Sequence, residues 1–252
     1  MKASSVLSTR TLVLAALAPA VVLGHGYVIS PAAQWTEGYP HNGYISEVNG
    51  SIWGEIDGFK YGWGPEGAVK FITEKFPESG VASLKDLILE NQVMWTSGLD
   101  EACGYTKLDE AKRSELPTEM KFGNGDVGGF THPGPCELWC DDTKLSYDND
   151  CAAKYPSGLV PIDTSKCANA NQFTVYWLAV HASMWQVYTN CVYLTGGSGG
   201  AATASKAPVS APAATTAAPV AGDADDEYAT GTPAAASTPS PTKKCTAKTR
   251  RA

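Results

Sequence analysis

Four histidines, His25, His41, His132 and His181, are the chain's entire stock of imidazoles, so any nitrogen-based metal chemistry must draw on them. His25 follows Gly24 at the end of an apolar run, residues 11–23, that Lys2 and Arg10 precede. That run is too short to cross a bilayer and reads as the core of a secretory signal peptide. Cleavage after Gly24 makes His25 the first residue of an extracellular protein; the small-x-small segment Ala18-Pro19-Ala20 is the competing site, and its use would leave His25 an ordinary strand residue. As a first residue, His25 closes a chelate ring on one ion through its α-amino group and Nδ1, an option only an N-terminal histidine has. An α-amino pKa near ~8 is low enough for a strongly bound divalent metal to displace the proton. A third nitrogen, from another histidine, would complete a T-shaped set whose tetragonal geometry favours Cu(II) over Zn(II).

The candidate for that third nitrogen is His132, in Thr131-His132-Pro133-Gly134-Pro135-Cys136-Glu137-Leu138-Trp139. Two prolines and a glycine make a rigid turn leading into a strand, which holds the histidine at a sheet edge. A second polar group comes from His181 and the segment Gln186-Val187-Tyr188-Thr189-Asn190-Cys191. Residues i and i+2 of a strand share a face, so Gln186 and Tyr188 point the same way, and His181 can return over them from the preceding strand. His41 stands between Pro40 and Asn42 in a polar loop and is expected to be dispensable.

These groups need a scaffold. The chain has 252 residues, 43% hydrophobic and 18% charged, which suits one soluble domain with extensions and excludes a protein of many membrane spans. Residues 25–196 carry 11 basic and 22 acidic side chains, a net of −11, so neither nucleic acid nor an anionic membrane is an expected partner. From residue 197 onward Ala, Pro, Ser, Thr and Gly supply 42 of 56 residues; such a segment cannot bury a core and reads as a disordered or O-glycosylated tail. Its basic end holds Cys245, whereas Cys103, Cys136, Cys140, Cys151, Cys167 and Cys191 give the domain an even six. In a secreted domain these imply three disulfides. Asn49-Gly50-Ser51 is a glycosylation sequon.

Three divisions follow: 1–24 signal peptide, 25–196 folded domain, 197–252 tail. Ser83 with Asp86 caps a helix expected to run to about Met94, and a short helix is expected over 66–76. Phe173, Val175, Trp177 and Ala179 alternate with Thr174, Tyr176 and Leu178; because both faces are apolar, this reads as an interior strand. Strands are also expected over 136–141 and 186–194. The fold class is mainly β, a disulfide-pinned antiparallel sandwich with helical insertions between about 66 and 94.

Taken in order, His25-Gly26-Tyr27, His132-Pro133-Gly134-Pro135 and His181 with Gln186-Val187-Tyr188-Thr189-Asn190-Cys191 resemble the lytic polysaccharide monooxygenases, whose pattern is an N-terminal His, a His-x-Gly-Pro segment and a late His…Gln-x-Tyr-x-x-Cys segment. The resemblance spans 25–196. Ser30-Pro31-Ala32-Ala33-Gln34-Trp35 lacks the Arg found in many relatives, and the spacing from His181 to Gln186 is short. The cysteine-rich Pro-Gly-Pro-Cys-Glu-Leu-Trp-Cys segment and the Ala/Thr/Pro tail look most like the pectin-active auxiliary-activity family seventeen of plant-pathogenic oomycetes.

The resemblance implies an immunoglobulin-like or fibronectin-like sandwich bearing one copper ion in a histidine brace. His25 and His132 would be its ligands and Tyr188 its axial neighbour, while His181, Gln186 and Tyr188 would serve catalysis. It also implies a Cys103–Cys191 pair; the other four domain cysteines allow three pairings. The implied activity is oxidative cleavage of plant cell-wall polysaccharide, with an external electron donor and O2 or H2O2 as partners, by a secreted monomer. Homogalacturonan, the polyanionic part of pectin, is the implied substrate. Since the domain's net charge opposes it, a local basic cluster is required, and Lys107, Lys112, Arg113 and Lys121 form the densest run. Two other readings fit the same residues: a copper-binding histidine-brace protein without oxidative activity, and a secreted carbohydrate-binding or elicitor-like module.

Overall fold

The computed structural model describes residues 25–197. The segment read as a signal peptide, the tail beyond residue 197 and Cys245 lie outside the described residues. All described residues belong to the first of the chain's two compact units, Met1–Thr203.

Ten strands are present among the described residues: β1 (Tyr27–Ser30), β2 (Ser46–Asn49), β3 (Gln92–Met94), β4 (Glu119–Asn124), β5 (Val127–Gly128), β6 (Cys136–Cys140), β7 (Thr143–Asp148), β8 (Leu159–Pro161), β9 (Gln172–Ala179) and β10 (Met184–Tyr193). Helices α1 (Gly58–Tyr61), α2 (Gly64–Glu78) and α3 (Leu84–Asn91) fall between β2 and β3, and α4 (Cys151–Lys154) follows β7. The chain is mainly β and its strands pair antiparallel. The smaller sheet runs β1-β4-β5, with β8 also on β4, and the larger runs β3-β2-β10-β9-β6-β7.

Two cores explain the apolar pattern of β9. Phe173, Val175 and Trp177 pack with Val28, Met120, Phe122 and Val160 of the smaller sheet. Tyr176 and Leu178, which alternate with them, pack with Phe71 and Ile72 of α2 and Leu84, Leu87 and Ile88 of α3. The larger sheet is therefore covered on both faces, by a sheet on one and by helices on the other, and its central strand carries no solvent-facing polar row.

The helical insertion begins earlier and ends earlier than the sequence suggests. α1 is a turn capped by Asp57, and α2 spans Gly64–Glu78, longer than the expected 66–76. Ser83 caps α3 as expected, its Oγ accepting the Asp86 N–H at 3.0 Å. The helix stops at Asn91, where the side-chain amide donates to the Leu87 carbonyl at 2.8 Å. Residues 92–94, expected in the helix, instead form the edge strand β3 on β2; strand pairing there outweighs one more helical turn around the β-branched Val93.

Disulfides join Cys103 to Cys191, as the resemblance implies, Cys136 to Cys151 and Cys140 to Cys167. The latter two clamp both ends of β6, the strand that begins just after His132. β6 is also fastened to the helical layer by Glu137, which is fully buried. Its Oε2 accepts the Lys85 backbone N–H at 3.0 Å and the Trp139 Nε1–H at 2.9 Å, and its Oε1 lies 3.3 Å from Lys144 Nζ. Glu137→Ala leaves two buried N–H groups and a lysine without their acceptor, so a loss of about 3–5 kcal/mol is expected. Glu137→Gln should cost less, since its amide oxygen still accepts. Denaturant midpoints check both values; a midpoint unchanged in Glu137→Ala would show that the network does not hold the layers.

Candidate metal and oxidative site

The chain at His25 is fixed from below. A Cβ on Gly26 would come within 2.6 Å of the Phe122 ring, so only glycine lets the backbone lie this close to β4. Phe122 stacks on Phe130 at 4.3 Å and meets Trp177 edge-on at 5.4 Å. Val28 N–H donates to Asn190 Oδ1 at 2.8 Å, which ties β1 across to β10 just beyond Tyr188. His25 is thus anchored through two residues that follow it, independently of anything before it.

The His132 turn is fixed equally firmly. Leu178 N–H donates to the Pro135 carbonyl and Val180 N–H to the Pro133 carbonyl, each at 2.9 Å. Gly134 has φ +146, and a Cβ there would lie 2.0 Å from the Leu178 carbonyl oxygen. The two prolines supply rigidity and the glycine supplies the close approach, so the turn is laid against β9 and reaches the loop where His181 begins the return to β10.

Aromatic packing brings the three segments together. The His132 and His181 rings stack at 3.7 Å with their planes 12° apart. His132 lies 6.3 Å from Trp177, and Trp177 stacks on Tyr188 at 4.4 Å. His25 lies 6.3 Å from Tyr188 and 6.4 Å from Tyr44. Tyr188 donates its O–H to Gln186 Oε1 at 2.9 Å, the shared strand face expected of those residues. Burial pushes the Tyr188 phenol well above its ordinary pKa, so it remains a protonated donor. Burial, and secondarily the charge of His41, lowers the His25 pKa and favours the neutral imidazole that a metal requires.

The stacked pair has a geometric consequence. A metal binds an imidazole nitrogen in the plane of the ring, at ~2.0–2.1 Å. No ion can lie in two nearly parallel planes this far apart, so His132 and His181 do not serve one ion together in this arrangement. Among the described residues no group of three or more His, Cys, Asp or Glu side chains could hold a metal. A brace needs only two imidazoles and a backbone amine, and the side chains present for it are His25 and His132, with His181 covering one face of the latter.

Two neighbours, Tyr44 and Glu47, escaped the sequence reading, and a third, His41, was read only as a loop residue. Tyr44 lies 6.4 Å from His25, 6.2 Å from Tyr188 and 5.5 Å from the exposed Trp95. Glu47 sits directly opposite Gln186 in the β2–β10 ladder, and burial raises its pKa; its charge also helps to raise that of Tyr44. His41, expected to be a dispensable loop residue, stacks on Tyr105 at 3.5 Å and accepts the Gly43 N–H at 3.1 Å, within electrostatic reach of His25. The period-2 pattern of β2, Ser46-Glu47-Val48-Asn49, is the only local signal for Glu47, and it does not say which strand lies beside it.

Of the basic run, Arg113 is engaged away from the histidines. Arg113 donates to Glu110 at 2.7 Å, to Asn171 Oδ1 at 2.8 Å and to the Leu194 carbonyl at 3.0 Å, a latch at the far end of β10. Leu194 is about 27 Å from Gln186 at the ~3.4 Å rise of an extended strand. Lys112 faces Asp109 at 3.6 Å, Lys107 stands in an exposed loop, and Lys121 lies in β4 opposite Ser30 and Leu159. Asn49 is exposed at the end of β2. No protein-family model matches this chain, and no curated protein matches it significantly.

Proposed function

We propose that the protein is a secreted, copper-dependent lytic polysaccharide monooxygenase with an immunoglobulin-like sandwich, acting on plant cell-wall polysaccharide and within that class on homogalacturonan. The observation that carries this reading is that three distant segments meet at the stacked Trp177–Tyr188 pair, His132 with His181 on the Trp177 side and His25 with Gln186 on the Tyr188 side. The glycine cradles at Gly26 and Gly134 support it as well, because they hold the backbone of residue 25 and the His132 turn in place before any ion arrives.

In this reading His25, through its amine and imidazole, and His132 hold the ion. Copper so held supplies one-electron chemistry with O2 or H2O2 after reduction by an external donor, ending in oxidation of a carbon beside a glycosidic bond. The protein's part is to orient and exclude. Tyr188, kept protonated by burial and stacked on Trp177, would stand beside an ion held there as a neutral phenol rather than an anionic ligand. His181 fixes the plane of His132 and offers ring nitrogens beside it, and Gln186 holds the Tyr188 hydroxyl.

The test is incubation of the copper-loaded protein starting at His25 with a reductant, O2 or H2O2, and homogalacturonan, cellulose or chitin in parallel. Oxidised oligogalacturonides that depend on the reductant are expected. Oxidised cello- or chito-oligosaccharides alone would reject the pectin assignment, and copper binding with no oxidised product on any polymer would leave a non-oxidative brace protein.

A further inference from the structure

The sequon at Asn49 is not used by the function proposed above, and the sheet register gives it a location. Asn49 pairs with Met184 and Glu47 pairs with Gln186 in the β2–β10 ladder. Paired residues of neighbouring strands share a face, as do residues i and i+2. Asn49, Glu47, Met184, Gln186 and Tyr188 therefore all belong to the sheet face that carries the histidine cluster. At ~3.4 Å per residue and ~5 Å between strands, the Asn49 and Gln186 Cα atoms are about 8 Å apart.

Asn49 itself is exposed. Its Oδ1 accepts both the Ser51 N–H at 2.9 Å and the Ser51 hydroxyl at 2.8 Å, so the sequon is folded on itself with its polar edge outward. Gly50 N–H donates to the Ser183 carbonyl at 2.9 Å, which fastens the sequon to the turn between β9 and β10. A groove of about 360 Å³ runs beside it at the end of the sheet, lined by Asn49, Met184 and Ser183 and, toward the helical side, by Ile56 and Trp185.

From this placement we infer that Asn49 carries an N-linked glycan whose core rises from the sheet face beside the candidate site and forms one rim of it, covering Met184 and the 182–183 turn. In forming it, Asn49 Nδ2 makes a bond to C1 of the first N-acetylglucosamine, the bond from C1 to the pyrophosphate of a lipid-linked oligosaccharide breaks, and the amide gives up a proton. A polysaccharide then cannot lie across the Met184 side of the site while the glycan is present. The rim's role toward a polymer rests on the function proposed above; the modification and its position do not.

Two readouts test it without using copper or turnover. The protein is secreted from a eukaryotic host that performs N-glycosylation, and the peptide containing Asn49 is weighed before and after enzymatic glycan release. Hydroxyl-radical footprinting of the copper-free protein then compares the glycosylated form with Asn49→Gln at Met184, with Phe59 on the helical insertion as the control. A glycan mass on the Asn49 peptide and several-fold lower labelling of Met184 in the glycosylated form, with Phe59 unchanged, are expected. An unmodified Asn49 peptide, or equal labelling of Met184 in both forms, overturns the inference. Absence of oxidative activity would affect neither readout and would count against the proposed function alone.

Discussion

Adding one glycine ahead of His25 is expected to lower Cu(II) affinity by about 10²–10⁴-fold, the range by which a second, tethered contact raises affinity over a single one. The added residue turns the amine of residue 25 into a peptide nitrogen and removes one member of the chelate, while Gly26, Val28 and Phe122 keep the imidazole where it was. His132→Ala removes the third nitrogen of the proposed set, leaving the His25 pair, and should cost a similar factor. The chain should stay folded in both cases, because the residues that anchor this region follow His25 or lie in β4 and β9. Competition against a chelator of known affinity measures the effect, with denaturant midpoints as the folding control. If the extended protein binds copper as tightly as the one beginning at His25, the amine is not a ligand and the brace reading fails.

How much of this was legible in the sequence depended on the distance over which the determining contact acts. The interior position of β9 could be read because both of its faces are apolar within eight residues, and the cap of α3 because Ser83 and Asp86 are neighbours in the chain. The end of α3 could not. Local propensity carries the helix toward Met94, and only the pairing of residues 92–94 with β2, more than forty residues earlier in the sequence, stops it. Glu47 and Tyr44 were invisible for the same reason: β2 joins the site through β10, and nothing near residue 47 announces that its partner is Gln186.

The basic run shows a different limit: closeness in sequence does not fix where a side chain is engaged. Lys107, Lys112, Arg113 and Lys121 are close in sequence, but Arg113 spends its guanidinium on Glu110, Asn171 and Leu194 to close the end of the sandwich. Arg113 is therefore not available to attract a polyanion to the histidine face. At ~0.1 M salt, exposed charges are screened beyond about 10 Å, so the domain's negative charge hinders approach more than docking.

His181→Ala should separate binding from chemistry. The parallel His132 and His181 rings exclude a common ion between them, so loss of the His181 imidazole removes a packing neighbour of the proposed ligand His132 rather than that ligand itself. Outer-shell partners of this kind typically change metal affinity by about 10–100-fold when removed. Positioned acid–base groups are worth about 10²–10⁴-fold in rate. The expected pattern is therefore a rate of oxidised-product release lower by about 10²–10⁴-fold with copper affinity falling by no more than about 10–100-fold. Tyr188→Phe keeps the ring stacked on Trp177 and deletes only the donor to Gln186, so copper should remain and the ligand-field spectrum should shift while turnover falls. The two variants fail differently if the ligand set is wrong. Copper loss in His181→Ala as complete as in His132→Ala would make His181 a ligand and require the stacked pair to open on metal binding. An unchanged spectrum in Tyr188→Phe would remove the phenol from the axial position and leave it a core residue that satisfies Gln186.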